Sequence, residues 1–215
     1  QAGDTVRLQK NDSLTYVAID LVDLELAPPP LDQPEGYLSV TDYGAVPDDG
    51  KDDTEAIIRA ILVAQAKKQG VWFPPGKYHQ SNRIFIPRDV HVMGSGVWHT
   101  FLYGYIKPVS SDGSSRAGFQ IIGDNVQLSH LRIGSAIDKR EKTRPAVDLG
   151  YEPQNWTVEN LWIEYTNSGI FLVGGSHGVV RNNRIRNTYA DGIHVARNSY
   201  DLLIENNHIR GCGDD

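Results

Sequence analysis

A single cysteine, Cys212, stands in 215 residues and leaves no partner for an intrachain disulfide. No run of 18 apolar residues occurs, so no membrane-spanning helix is expected. Basic residues are outnumbered, 21 Lys and Arg against 27 Asp and Glu, for a formal net charge of −6. Such a chain lacks the basic field that phosphate binding needs, which argues against a nucleic-acid partner and suits a neutral ligand. Also missing are a Ser-His-Asp set, a phosphate-binding glycine fingerprint and zinc-ligand spacing. The turn Gly94-Ser95-Gly96 in HVMGSG has neither fingerprint's spacing and reads as a corner between strands. The chain opens at Gln1 with neither Met nor a signal-like segment, so we expect a processed chain or a piece of a larger catalytic domain.

A hydrophobic content of 40% is enough for a substantial core. Residues 1–27 carry β-rich runs at Thr5–Leu8 and Tyr16–Leu26 around the turn cluster Asn11-Asp12-Ser13, and read as the C-terminal strands of a β-sandwich. Residues 28–35, with Pro28, Pro29, Pro30 and Pro34, read as a stiff linker. Residues 36–215 are then the N-terminal part of a second, catalytic domain. That part starts with a short strand at Tyr37–Tyr43 and one amphipathic helix over 54–68. Asp53 or Thr54 is placed to cap the helix, Ile57, Ile58, Ile61, Leu62 and Ala64 form its apolar face, and Gly70 is placed to stop it.

Beyond the helix the pattern changes to short β-branched runs between Gly, Asn, Asp and Ser: Val71–Phe73, Ile84–Ile86, Val90–Met93, Phe119–Ile122, Val126–Ile133, Val147–Leu149 and Trp156–Ile163. Two coils of near-equal length follow, Gly169–Asp191 with 23 residues and Gly192–Asp215 with 24. The triplets Val158-Glu159-Asn160, Val180-Arg181-Asn182 and Ile204-Glu205-Asn206 recur at spacings of 22 and 24. Asn tolerates the left-handed backbone of a sharp corner, and stacked Asn side chains can bond from coil to coil. Short strands repeating at this period predict an all-β, right-handed parallel β-helix, with the helix at 54–68 capping its first coil.

One structural period then separates Asp191 from Asp214 and Asp215. Matching Gly169 with Gly192 pairs Asp191 with Asp214, whereas matching Val180 with Ile204 pairs it with Asp215. Three carboxylates so close cannot all ionise freely, so at least one is expected to hold its proton near neutral pH, as a general acid must. Clustered Asp oxygens also suit a hard cation, so a structural calcium is compatible with the site, although no cofactor is required. Asp191-Gly192 taken alone is an ordinary turn dipeptide. Sugar sites add aromatic platforms and imidazole hydrogen bonders. Of Trp98, Tyr103, Tyr105, Trp156, Trp162, Tyr165, Tyr189 and Tyr200, most read as packing residues. Tyr189 and His194, which flank Asp191, are the candidate substrate-binding residues.

The stretch SVTDYGAVPDDGKDDTEAIIRAI from Ser39, with GVWFPPGKY to Tyr78, resembles the entrance of the pectate-lyase-like β-helix superfamily. NTYADGIHV with GCGDD resembles the three-aspartate arrangement of glycoside hydrolase family 87, the bacterial α-1,3-glucanases and mycodextranases. Residues 1–27 resemble the last strands of the carbohydrate-binding sandwich found ahead of such domains. The resemblance implies a secreted, inverting endo-hydrolase of α-1,3-glucan or nigeran, with Asp214 as general acid and Asp191 and Asp215 holding the attacking water. A monomer acting on a polysaccharide, with no nucleic acid or membrane partner, is expected. A family 28-like polygalacturonase, a polysaccharide lyase and a non-catalytic carbohydrate-binding β-helix or adhesin are the alternatives.

Overall fold

A computed structural model describes residues 24–104, 118–135, 137, 139–140, 145–150 and 152–214. The proposed sandwich strands of residues 1–23 lie outside these, as does Tyr105. Residues 24–34 have no regular structure but are held against the rest of the protein: the Leu31 N–H donates to the Ser95 carbonyl at 2.9 Å, and a His99 ring nitrogen meets the Pro28 carbonyl at 2.8 Å.

The chain enters through strand β1 (Tyr37–Ser39), shorter than expected because Val40–Tyr43 curls into a 3-10 turn closed by Gly44. Helix α1 (Thr54–Lys67) follows and packs on β1, the turn, β2 (Gly70–Phe73) and β4 (Ile84–Ile86). Its buried face is Ala56, Ile57, Ala60, Ile61 and Ala64; Leu62, expected on that face, is 56% exposed. Asp53 occupies the N-cap position without capping, because its carboxylate accepts the Val46 and His79 N–H groups instead. Asp52 accepts the Thr54 N–H in its place. The left-handed residue that ends α1 is Lys68, at φ 55°, two positions before Gly70.

From β2 onward the chain winds through three faces per turn. The first face holds β2, β5 (His91–Gly94), β8 (Val126–Ser129), β11 (Gln154–Glu159) and the second half of the long strand β13 (Ile170–Arg181). On the second lie β3 (Gly76–Gln80), β6 (Thr100–Gly104), β9 (Arg132–Ser135), β12 (Trp162–Glu164), β14 (Arg184–Arg186) and β16 (His208–Arg210). The third carries β4, β7 (Phe119–Ile121), β10 (Val147–Leu149) and the first halves of β13 and β15 (Ile193–Glu205). Every strand pairing among the described residues is parallel, as a coiled β-helix requires. Strands β3 and β6 were not foreseen, because each turns only one large apolar residue inward, Tyr78 or Leu102; the other inward positions are Gln80 in β3 and Thr100 and Gly104 in β6.

In-register pairing stacks like on like inside. Val71, Val92, Leu128, Val158 and Val180 form one apolar column, Leu102, Ile133, Ile163 and Ile185 a second, and Ile84, Phe119, Val147 and Ile170 a third. All are at most 1% exposed, and each aliphatic member so buried contributes roughly 1.5–3 kcal/mol. The expected Asn corners are present: Asn160, Asn182 and Asn206 have φ of 52°, 56° and 53°. The left-handed Asn155 does donate to the left-handed Asn125 of the previous coil, at 3.4 Å, but at the Asn182 corner the coil-to-coil amide bonds run one position later than expected. Asn183 Nδ2 donates to Asn207 Oδ1 at 2.9 Å and to the Val158 carbonyl, while Asn183 Oδ1 accepts the Leu161 N–H at 3.0 Å. The left-handed residue turns outward at the bend, and its successor turns inward.

Asn183 is 1% exposed, so replacing it with Ala strands the Leu161 N–H and the Val158 carbonyl in a dry corner. At about 1–3 kcal/mol per orphaned group, Asn183→Ala should cost about 2–5 kcal/mol in urea unfolding. Asn182→Gly, at a position that only needs φ > 0, should cost under about 1 kcal/mol.

Candidate active site

The corner between the second and third faces carries the acids. Asp191 lies between β14 and β15, and its carbonyl accepts the Gly169 N–H at 3.0 Å, so it stacks one turn beyond Ser168. The glycine that opens each coil is required by this approach: a Cβ on Gly169 would meet the Gly192 carbonyl oxygen at 2.3 Å, and one on Gly192 would meet Ile209 at 2.4 Å. One turn further, the Gly213 and Asp214 N–H groups both reach the Ala190 carbonyl, at 3.0 and 3.3 Å. Asp214 therefore sits beside the peptide that joins Ala190 to Asp191. Asp215, the third acid of the sequence reading, lies outside the described residues.

The one-residue ambiguity in coil length has a structural origin. β13 and β15 pair Ile170 with Ile193, 23 residues apart, and Val180 with Ile204, 24 apart, with a bulge between Val173 and Gly175 absorbing the difference. Both alignments read from the sequence are thus present, on either side of one bulge.

Asp191 and Asp214 each have a basic partner. His194 Nδ1 lies 3.0 Å from Asp191 Oδ1, and Ser168 Oγ makes a longer contact of 3.5 Å with Oδ2. The His194 ring lies flat on Phe171, centroids 4.2 Å apart and planes 2° from parallel, because β13 and β15 pair the two residues directly. Partial burial pushes the Asp191 carboxyl up, but the hydrogen bond from His194, its own backbone N–H, the charge of His194 and the Ser168 hydroxyl together hold it below its ordinary value. These contacts favour the ionised form of Asp191. The Asp214 carboxylate faces Arg140, whose two terminal nitrogens meet its two oxygens at 2.7 Å each. This is the bidentate fork geometry that makes guanidinium a strong carboxylate partner.

Tyr189 is half-buried two residues before Asp191, and its N–H donates to the Thr166 carbonyl at 3.1 Å. Its predicted neighbour His194 is at the site, but its Nδ1 is engaged by Asp191. The sequence reading passed over Ser168, Phe171 and Arg140. The first two were within reach, since each stands 23 residues before the acid or imidazole it meets; Arg140 has no periodic counterpart. Among the described residues no three His, Cys, Asp or Glu side chains converge on a point where a metal could sit. A buried pair braces the preceding turns of the same corner: Arg83 Nη2 lies 2.7 Å from Asp148 Oδ1 and also donates to the Phe119 carbonyl at 2.6 Å.

Comparison with known proteins places this geometry in context. The family model of the α-1,3-glucanase catalytic domain D2 matches residues 52–215. The Agl-KA catalytic domain superposes with a TM-score of 0.76 at 27% identity, covering 89% of this chain and 35% of that one. A family 87 α-1,3-glucanase catalytic domain in complex with tetrasaccharides superposes at 0.67 with 27% identity, covering 88% and 32%. Structures of such domains include complexes with nigerose and carry single Asp-to-Ala replacements at three positions, the second 23 residues after the first and the third one residue further. A mannuronan C5-epimerase of Azotobacter vinelandii is 26% identical over 81% of this chain and 15% of its own length. The chain thus spans about a third of the solved domains it matches.

Because Asp191 is held below its ordinary value of 3.8, its contribution to stability is complete above that pH and is lost as pH falls through the lower folded value. His194→Gln should raise the folded Asp191 pKa toward the ordinary value. The stability advantage of the unaltered protein over the variant should then shrink on acidification below about pH 4, and the Asp191 carboxyl carbon should titrate at higher pH by NMR.

Proposed function

Since the chain belongs to the family of α-1,3-glucanase catalytic domains D2, with residues 52–215 matching, we propose that it acts in the inverting hydrolysis of α-1,3-glucosidic bonds in glucan or in mixed α-1,3/α-1,4 nigeran. One observation carries the reading. Asp191 and Asp214 come from consecutive turns and meet at the Ala190 carbonyl, and with Asp215 they reproduce the 23-and-24 spacing of the replaced aspartates in the solved relatives.

In this reading Asp191, ionised and aimed by His194 against Phe171, draws a proton from the attacking water, and Asp215 shares in holding that water. Asp214 gives a proton to the leaving glycosidic oxygen. Inversion needs about 6.5–9.5 Å between acid and base so that water fits. Directly stacked coil positions stand only about 4.8 Å apart, so this mechanism needs the two carboxyl groups offset across the corner, each on its own partner, His194 or Arg140. A carboxylate gripped at both oxygens by Arg140 can only accept, so the donor role of Asp214 requires that pair to part when the sugar enters. Tyr189, two residues before Asp191, is the proposed substrate-binding aromatic. The substrate is neutral, in keeping with the net charge of −6. No cofactor enters this mechanism, and the enzyme works as a secreted monomer, with α1 covering the first turn of the β-helix.

Arg140 beside an acid and the likeness to an epimerase favour one second reading, action on a uronan through elimination, which leaves an unsaturated product that absorbs in the ultraviolet. Replacing Asp214 with Asn in the intact protein, and measuring reducing sugar released from α-1,3-glucan and nigeran, separates the readings. Loss of general acid catalysis should lower turnover by about 10²–10⁴-fold. The product's first anomer, read by NMR, should be β. Retained activity on both glucans, or an ultraviolet-absorbing product, would overturn the assignment.

A further inference from the structure

A cavity of about 510 Å³ lies at a different corner from the acids, between the first and second faces. That is within the range of roughly 300–1,000 Å³ typical of small-molecule sites. One wall is the β-helix corner itself, with Trp98, His130, Asn160 and Asn182. The other is the proline-rich approach to the domain, including Leu26, Pro28 and Leu31. That approach is fixed in place by the Leu31–Ser95 and Pro28–His99 hydrogen bonds and by a two-pronged pair between Glu25 and Arg184 at the rim. The proposed acid corner lies across the second face, whose strands of three to five residues make it roughly 10–17 Å wide at about 3.3 Å per residue.

The chemistry of the lining selects a ligand class. Trp98 is 41% exposed and is steadied from below by Trp162, edge to face with ring centroids 4.8 Å apart. An indole held this way offers an apolar platform to the C–H face of a sugar ring. Around it stand amide and imidazole groups that bond hydroxyls. His130 Nδ1 is enclosed and has no hydrogen-bond partner among the described residues. Burial pushes the His130 imidazole below its ordinary value, against a weaker upward pull from Glu159, so the ring is neutral at pH 7. The charged groups at the rim, Glu25 and Arg184, neutralise each other. A lining with an aromatic platform, neutral hydrogen bonders and internally cancelled charge fits a neutral polyhydroxylated ligand and gives an anion no unpaired cation to seek.

We propose that this cavity is an accessory saccharide site, separate from the acid corner, that takes one or two hexose units of a neutral glucan with Trp98 as the stacking platform. The choice of α-1,3-glucan as its ligand rests on the function proposed above; the site itself rests on the cavity. It would hold a strand of insoluble polymer one face away from the bond being cut, and would add nothing to the cleavage of a chain too short to reach both corners.

The test compares the unaltered protein with Trp98→Ala in retention on insoluble α-1,3-glucan and in turnover of a soluble α-1,3-linked disaccharide or tetrasaccharide. Retention should fall at least fivefold, with turnover of the short substrates unchanged within twofold. Equal retention, or an equal loss on short substrates, would overturn the proposal. Should Trp98→Ala not fold, nigerose titrated into the Asp214→Asn protein should shield tryptophan fluorescence from acrylamide. The shielding should disappear in Trp98→Phe, and its absence from the Asp214→Asn protein or its persistence in Trp98→Phe counts against the site. Because that titration needs no turnover, it decides the site even where Asp214→Asn shows the catalytic reading to be wrong.

Discussion

Everything in this protein depends on parallel, in-register stacking of successive turns. Each turn satisfies its backbone N–H and C=O groups on the turns before and after it, so a residue's neighbours are fixed by its phase within the turn and not by its place in the sequence. Val71, Val92, Leu128, Val158 and Val180 become one continuous column for this reason, and so do the corner residues that share a left-handed backbone. The same constraint brings Ser168, Asp191 and Asp214 to one corner although 46 residues separate the first from the last.

Phase also explains how the acid corner is tuned. A column of identical carboxylates would be self-repelling, and the sequence avoids that by varying the chemistry along the column. Phe171 and His194 occupy the same register position in adjacent strands, so a flat apolar ring becomes the seat of the imidazole that faces Asp191. The other acid is matched by a guanidinium from outside the repeating strands. The corner thus separates two chemically identical side chains, one dressed by the fold itself and the other by a loop.

Much of this was legible in the sequence, and the reasons differ by residue. Ile84–Ile86 and Val147–Leu149 could be placed to the residue because both members of each inward pair are apolar. The Asn corners were readable because few side chains other than Asn and Gly accept positive φ cheaply. Strands β3 and β6 were hidden because their inward positions beside Tyr78 and Leu102 are Gln80, Thr100 and Gly104, so the burial alternates while the hydrophobicity does not. The amide ladder was assigned one residue early because composition alone does not say which of two consecutive asparagines faces inward, as at Asn182 and Asn183. Arg140 was invisible for a stronger reason: a contact made once, by a segment outside the repeat, leaves no period to detect.

The bulge between Val173 and Gly175 means that turn length and interior phase are separate variables here. A turn can gain a residue at that bend while Ile193 still meets Ile170 on one side and Ile204 still meets Val180 on the other. The bend works as a slack joint between two fixed registers, so an extra residue there is absorbed without displacing either the buried columns or the corner that carries Asp191.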